Sequence, residues 1–268
     1  MMSVANEITR LQNAKTALKT AIENKGVTVG DGLIDTYADK ILEISGGGGS
    51  DEYQTALWNG IQQDGNRKDY NNAFRLWRNM GEIWLPNHDI KPTTASYMFY
   101  NAVGLTNLPE RCKELGMTMD FANSTGFTQF GAYSSITHLG VVDMRKCSAV
   151  SSALQNMTAL VQVHLIVKED GSQALNSCFT GCSKLAELTI EGGIKTTTSF
   201  GACPLNKASI ENVYRVLLSS ASGQTVTFKK TAVNAAFGID VDDESTFPEG
   251  SEYYELRNSK SNWTVSYA

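Results

Sequence analysis

Residues 178–194 read CFTGCSKLAELTIEGGI, and the spacing inside this stretch recurs along the chain. Phe179 is followed by Leu185 after six residues, Leu188 after three more and Ile190 after a further two. Phe130, Ile136, Leu139 and Val141 repeat that pattern, as do Leu154, Leu160, Val163 and Leu165, while Phe99, Leu105 and Leu108 carry its first part. Counting Phe200 as the start of a final partial unit, the anchors stand 31, 24, 25 and 21 residues apart. An apolar residue at every second position at the end of a unit predicts a short strand with one inward face. A unit that supplies one strand and a returning segment cannot bury its apolar side alone, so neighbouring units are expected to stack into a solenoid, with the length variation in surface loops.

The repeat also accounts for the cysteines. Cys182 and Cys203 lie three residues after their anchors, where the other units carry Ala102, Tyr133 and Met157, so the position is expected to be an apolar rung. Cys178 and Cys182 with His138 or His164 would make only a weak zinc pattern, because the equivalent rung residues cannot ligate, and no metal or other cofactor is expected. The five cysteines, Cys112, Cys147, Cys178, Cys182 and Cys203, are odd in number, and no disulfide framework is expected.

Beyond Pro204 the repeat stops, and residues 205–268 read as a C-terminal cap. Ser209 is placed to cap a helix carrying Ile210, Val213, Tyr214 and Leu217 on one face. A strand from Thr225 to Lys229, a short helix to Phe237, an acidic loop from Asp240 to Glu244 and a closing strand from Trp263 to Tyr267 follow. On the other side of the repeats, residues 51–95 concentrate Tyr53, Trp58, Tyr70, Phe74, Trp77 and Trp84. These read as a packed N-terminal cap over the open end of the repeats at 96–204 or, alternatively, as a ligand-stacking face.

Residues 1–45 form a separate helical segment, joined through the glycine-rich linker 46–50, which is either natural or an engineered junction. Val4, Ile8, Leu11, Lys15, Leu18 and Ile22 alternate spacings of four and three, the seam of a coiled coil, and Lys25-Gly26 close the helix. Asp31 begins a second helix with Leu33, Ile34, Tyr37, Ile41 and Ile44 on one side. Val4, Ile8, Leu11, Leu18 and Ile22 are therefore the candidate oligomerisation or docking residues; packing on the rest of the same chain is the competing reading.

The net charge of −5 and the absence of a basic run exclude a phosphate-tracking nucleic-acid binder. Glu7 and Arg10 with no apolar core between Met1 and Arg10 predict no secretory signal, and no run of about 18 apolar residues predicts membrane insertion. No nucleotide-cradling glycine loop, HExxH or GxSxG occurs. Of the three histidines, His88, His138 and His164, the last sits in an expected strand and is expected to point outward. Asp242, Asp243 and Glu244 are adjacent in a loop, unlike the separated carboxyl pair that glycoside hydrolysis requires. An enzyme is not expected.

The repeat units, CFTGCSKLAELTIEGGI above all, resemble the BspA-like subclass of leucine-rich repeats, which is found on bacterial surface proteins and in phage tail proteins. ITRLQNAKTALKTAIENKGVTVGDGLIDTYADKILEI at 8–44 resembles the N-terminal segment of phage and prophage tail-fibre and baseplate proteins. ALWNGIQQDGNRKDYNNAF at 56–74, CPLNKASIENVYRVL at 203–217 and the closing NWTVSYA are similar to other segments of such proteins; the family's last segment carries Gly-Trp-Thr where this chain has Asn262 before Trp263.

The resemblance implies a mixed α/β protein, a helical segment joined to a leucine-rich-repeat-like solenoid with capping segments. It implies a non-enzymatic structural protein of a bacteriophage tail, made in the host cytoplasm and carried in the virion, with other tail or baseplate proteins and a host-surface glycan or protein as partners. A homo-oligomer, a trimer favoured, would multiply weak contacts. Tyr97, Tyr100, Tyr133 and Asn156 are the candidate receptor face. A bacterial surface adhesin with the same repeats, and a tail adaptor without receptor contact, are the alternatives.

Overall fold

The computed structural model describes residues 4–24, 28–29, 68–75, 89–103, 119–148, 150 and 152–268. The expected second helix, the glycine linker, Lys25-Gly26, and Tyr53, Trp58, Trp77, Trp84, His88, Leu105, Leu108 and Cys112 lie outside the described residues. The chain divides into two compact units, Met1–Leu57 and Trp58–Ala268.

In the first unit α1 spans Val4–Glu23, 20 residues of which the good helix formers Ala, Leu, Lys, Glu, Gln and Arg supply 12. Ile22 is buried against Val29 with Leu18 partly covered, so this end of the expected seam packs within its own unit. Ile8 is 51% exposed. The side chains of Val4 and Leu11 lie outside the described residues.

Among its described residues the second unit contains two three-stranded parallel sheets. In the first, β1 (His138–Asp143), β2 (Gln162–Ile166) and β3 (Glu187–Glu191) pair in chain order. Val163 and Leu165 on β2 and Leu188 and Ile190 on β3 face the core, as a period of two requires. On β1 the expected inward Val141 is instead 49% exposed and Val142 is fully buried. Gly140 is the cause. Its left-handed backbone (φ 65°) places an extra residue in β1, so that His138 pairs with Gln162 but Val142 pairs with Leu165, and the side-chain phase advances by one.

The returning segments are built on pairs of left-handed residues four positions apart: Tyr97 and Asn101, Gln129 and Tyr133, Ser152 and Asn156, with φ between 45° and 70°. Four of these six amides are held by the following unit. Tyr97 donates to Thr128 O (2.9 Å), Asn101 to Ala132 O (2.8 Å), Tyr133 to Gln155 O (3.0 Å) and Asn156 to Thr180 O (2.7 Å). Tyr97, Gln129 and Ser152 therefore stand in one column, and Asn101, Tyr133, Asn156 and Gly181 in a second. A left-handed conformation costs a side-chain-bearing residue about 1–2 kcal/mol, which the satisfied backbone donors and the buried side chains between the columns offset. Phe99, Phe130, Leu154 and Phe179 are those buried side chains, all without exposure. Ring contacts run along them, with Phe74 and Phe99 at 5.3 Å, Phe99 and Phe130 at 5.2 Å, and Phe179 and Phe200 at 4.9 Å.

The columns correct one rung of the expected ladder. Ser134, 3% exposed, and not Tyr133, is the buried counterpart of Ala102, Met157 and Cys182. Phe130 comes one residue early in its unit: the amide donating to Ala153 O belongs to Gly131, where a Cβ would lie 2.7 Å from Met157 Sδ.

In the second sheet β4 (Thr198–Phe200), β5 (Gln224–Phe228) and β6 (Trp263–Tyr267) are likewise parallel. Before β5 comes α2, Lys207–Val216, and after it α3, Lys230–Phe237, which ends at Gly238 in a left-handed cap. A further helix, α4 (Glu252–Asn258), carries the buried Tyr253 and was not legible from spacing. Asn206, and not the expected Ser209, caps α2, accepting from the Ser209 amide at 2.9 Å. Ser209 is drawn away because its hydroxyl accepts from Leu188 N (2.8 Å) and donates to Ala186 O (3.1 Å). Asn212 similarly accepts from Ile190 N (2.7 Å), so α2 satisfies the free edge of β3. Asn262 donates to the carbonyls of Leu218 and Ala221, which fixes the turn entering β6.

Candidate functional site: an exposed aromatic row

The left-handed columns turn selected side chains outward in register. Tyr97 and Tyr100 flank the buried pair Met98 and Phe99 and meet edge to face, with ring centroids 5.8 Å apart. Tyr100 meets Tyr133 of the next unit in the same manner at 5.6 Å, and Tyr133 is 44% exposed. Asn156 follows Tyr133 in its column. Three of the four candidate receptor residues thus share one continuous row, and Asn156 extends it by one unit.

The row begins with a residue that the spacing did not single out. The guanidinium of Arg75 lies 5.4 Å from the Tyr97 ring centroid and 5.3 Å from that of Tyr100, within the range of a cation–π contact. Arg75 Nη1 also donates to Asn72 Oδ1 at 3.1 Å, which holds the side chain over the rings. Among the described residues Arg75 has no carboxylate partner. Its signal was present in the sequence: Asn72, Phe74 and Arg75 match Tyr97, Phe99 and Tyr100 at an offset of 25. The backbone obeys the same offset, with Asp69 bridged to Thr94 and Phe74 N donating to Met98 O (2.8 Å). Stacking therefore reaches back into the segment expected to be a cap.

Away from the row, a concavity of about 370 Å³ lies over the outer face of β1–β3, lined by Val141, Gln162, His164, Glu187, Thr189 and Ala208 among others. His164 points outward there, as expected. Its Nε2 is 2.8 Å from Glu191 Oε1 without making a hydrogen bond, whereas Gln162 Nε2 donates to Glu187 Oε2 at 2.8 Å.

The acidic run is similarly committed: Asp242 contacts Lys230, Asp243 accepts from Ser245 N (3.0 Å) and Glu244 lies 3.5 Å from Arg257. Among the described residues no group of three His, Cys, Asp or Glu side chains converges as metal ligands do, and no helix is long and apolar enough to cross a membrane.

Comparison of the chain with known protein families, characterised proteins and solved structures gave no match.

Proposed function

We propose that the chain is a non-catalytic structural protein of a bacteriophage tail whose second unit is a BspA-like leucine-rich-repeat solenoid used for host attachment. The observation that carries a binding role is the aromatic row: Tyr97, Tyr100 and Tyr133, each half-buried or exposed, are set in register by backbone columns that fix their spacing. Large amphipathic rings on a rigid scaffold bind at little entropic cost. The parallel strands and unit-to-unit hydrogen bonds support the solenoid reading, and the resemblance of the flanking segments supports the phage-tail setting. In this reading residues 1–45 join copies or dock to the tail, and Ile8, half exposed on α1, is available for that contact. Multiple copies convert weak contacts into avidity.

The test is co-sedimentation of the full chain with isolated bacterial envelope fractions, beside a Y100A/Y133A double variant. Retention of the wild type and its loss in the variant is the expected result. Equal retention of both proteins, or retention of neither across a panel of envelopes, would overturn attachment through this face.

A further inference from the structure

We infer that the aromatic row takes an anionic glycan, with pyranose rings lying on Tyr100 and Tyr133 and a carboxylate or phosphate oxyanion held by Arg75. The inference rests on the host-attachment reading and names the ligand class of the same face. Two features of the row carry it.

Its apolar part consists of tyrosines, whose rings pack against the C–H faces of sugars while their hydroxyls remain available for hydrogen bonds. Its charged part is a lone guanidinium: Arg75 is exposed, spends one N–H on Asn72 Oδ1, and has no carboxylate partner among the described residues. Among the described residues four of its five N–H groups remain for a forked contact with an oxyanion, and the two tyrosine faces hold the fork in place without neutralising it. By contrast, over β1–β3 Gln162 is spent on Glu187 by a hydrogen bond.

The chain carries a net charge of −5, so its overall field repels a polyanion, and any preference for one must come from a local contact. Added salt screens the diffuse repulsion as well as the exposed pair, but a pair lost with Arg75 alone isolates the local contact.

The probe is one polymer in three forms: neutral dextran, carboxymethyl dextran and dextran phosphate, compared by affinity electrophoresis of the full chain. The wild type is expected to be retarded by both charged forms more than by the neutral one, and the stronger of the two identifies the source of the oxyanion. Arg75→Gln should reduce affinity for the charged forms by about tenfold, the loss of one charge-assisted hydrogen bond, and leave the neutral form within about twofold. Tyr133→Ala should weaken all forms. Unchanged thermal melts of both variants would confirm that folding is intact.

Equal affinity for neutral and charged dextran, unchanged in Arg75→Gln, would overturn the anionic class while leaving the aromatic row as a binding face. Failure of the attachment reading itself appears separately, as equal envelope retention of the wild type and Y100A/Y133A.

Discussion

Asn156 and Gly181 stand one above the other in consecutive units, both left-handed, with the Asn156 amide donating to Thr180 O at 2.7 Å. The approach is so close that a Cβ on Gly181 would fall onto Asn156 Oδ1 and lie 3.2 Å from its Cα. Glycine is required here for two reasons at once, the sign of φ and the space. Gly181→Ala should cost about 2–3 kcal/mol, the left-handed penalty plus displacement of the Asn156 carboxamide. Asn156→Gly should remove the second part only. A double-mutant cycle by urea unfolding is therefore expected to give a coupling of about 1 kcal/mol, and strict additivity would sink the stacked arrangement of the two columns.

The bulge at Gly140 makes a sharper claim, because it exchanges two adjacent valines. Val142→Ala removes two methyl groups from a fully buried position and should destabilise by about 1–3 kcal/mol, whereas Val141→Ala, at a position 49% exposed, should fall within about 0.5 kcal/mol of wild type. Without the bulge the two effects would be reversed. Gly140→Ala separates the backbone contribution: no atom lies within 4 Å of the added Cβ, so its cost is conformational alone, about 1 kcal/mol.

Those two valines also mark how far the sequence is legible. Inference from spacing depends on a constant period, and where the period holds, at Val163, Leu165, Leu188 and Ile190, the inward residues follow directly. A bulge preserves composition while shifting phase, and Gly140 between Leu139 and Val141 was its one trace. The early anchor Phe130 is the same kind of case, with Gly131 as the trace. Ser209 has the composition of a helix cap, yet its hydroxyl is used by the edge of β3, a tertiary partner that no local rule supplies. At the candidate site Tyr97 and Tyr100 were legible as aromatics placed off the apolar rungs, whereas spacing from the early anchor Phe130 put Tyr133 on a rung that Ser134 in fact fills. Arg75 escapes such a reading although Phe74, Met80, Ile83 and Leu85 keep the repeat's spacings of six, three and two, because the density of aromatics over 51–95 marks that segment as a cap.

The cysteines are expected to be inert. Burial pushes the thiols of Cys147 and Cys182 up to about 12, and those of Cys178 and Cys203 higher still. Cys147 and Cys182 also donate to carbonyls, of Ser124 at 3.4 Å and of Leu154 at 3.1 Å. A thiol with so high a value is about one part in ten thousand thiolate at pH 8, and the thiolate is the reacting species. With Ellman's reagent under native conditions these four should react only at the rate of unfolding, and urea should release them together. Rapid labelling of Cys182, located by peptide mass spectrometry, would show that the rung is accessible.

The last expectation concerns acid. Arg145 holds the Asp143 carboxyl below the ordinary carboxylate range through a forked contact, Nη2 to Oδ2 at 2.6 Å and Nε to Oδ1 at 3.1 Å, against an opposing effect of burial. A folded value below the unfolded one means that the folded state favours the ionised form. The resulting stability is present above the unfolded value, about pH 4, and is lost as pH falls through the folded value. Arg145 is 56% exposed, so solvent screening limits the contribution to about 1 kcal/mol or less. Asp143→Asn isolates the charge, since the amide oxygen can still accept from the Arg145 backbone N–H, held at 3.0 Å in the native protein. Wild type should therefore be the more stable of the two at pH 7, and the difference should shrink as the pH is lowered from 5 to about 2. A difference independent of pH would mean that the Asp143–Arg145 ion pair contributes no stability.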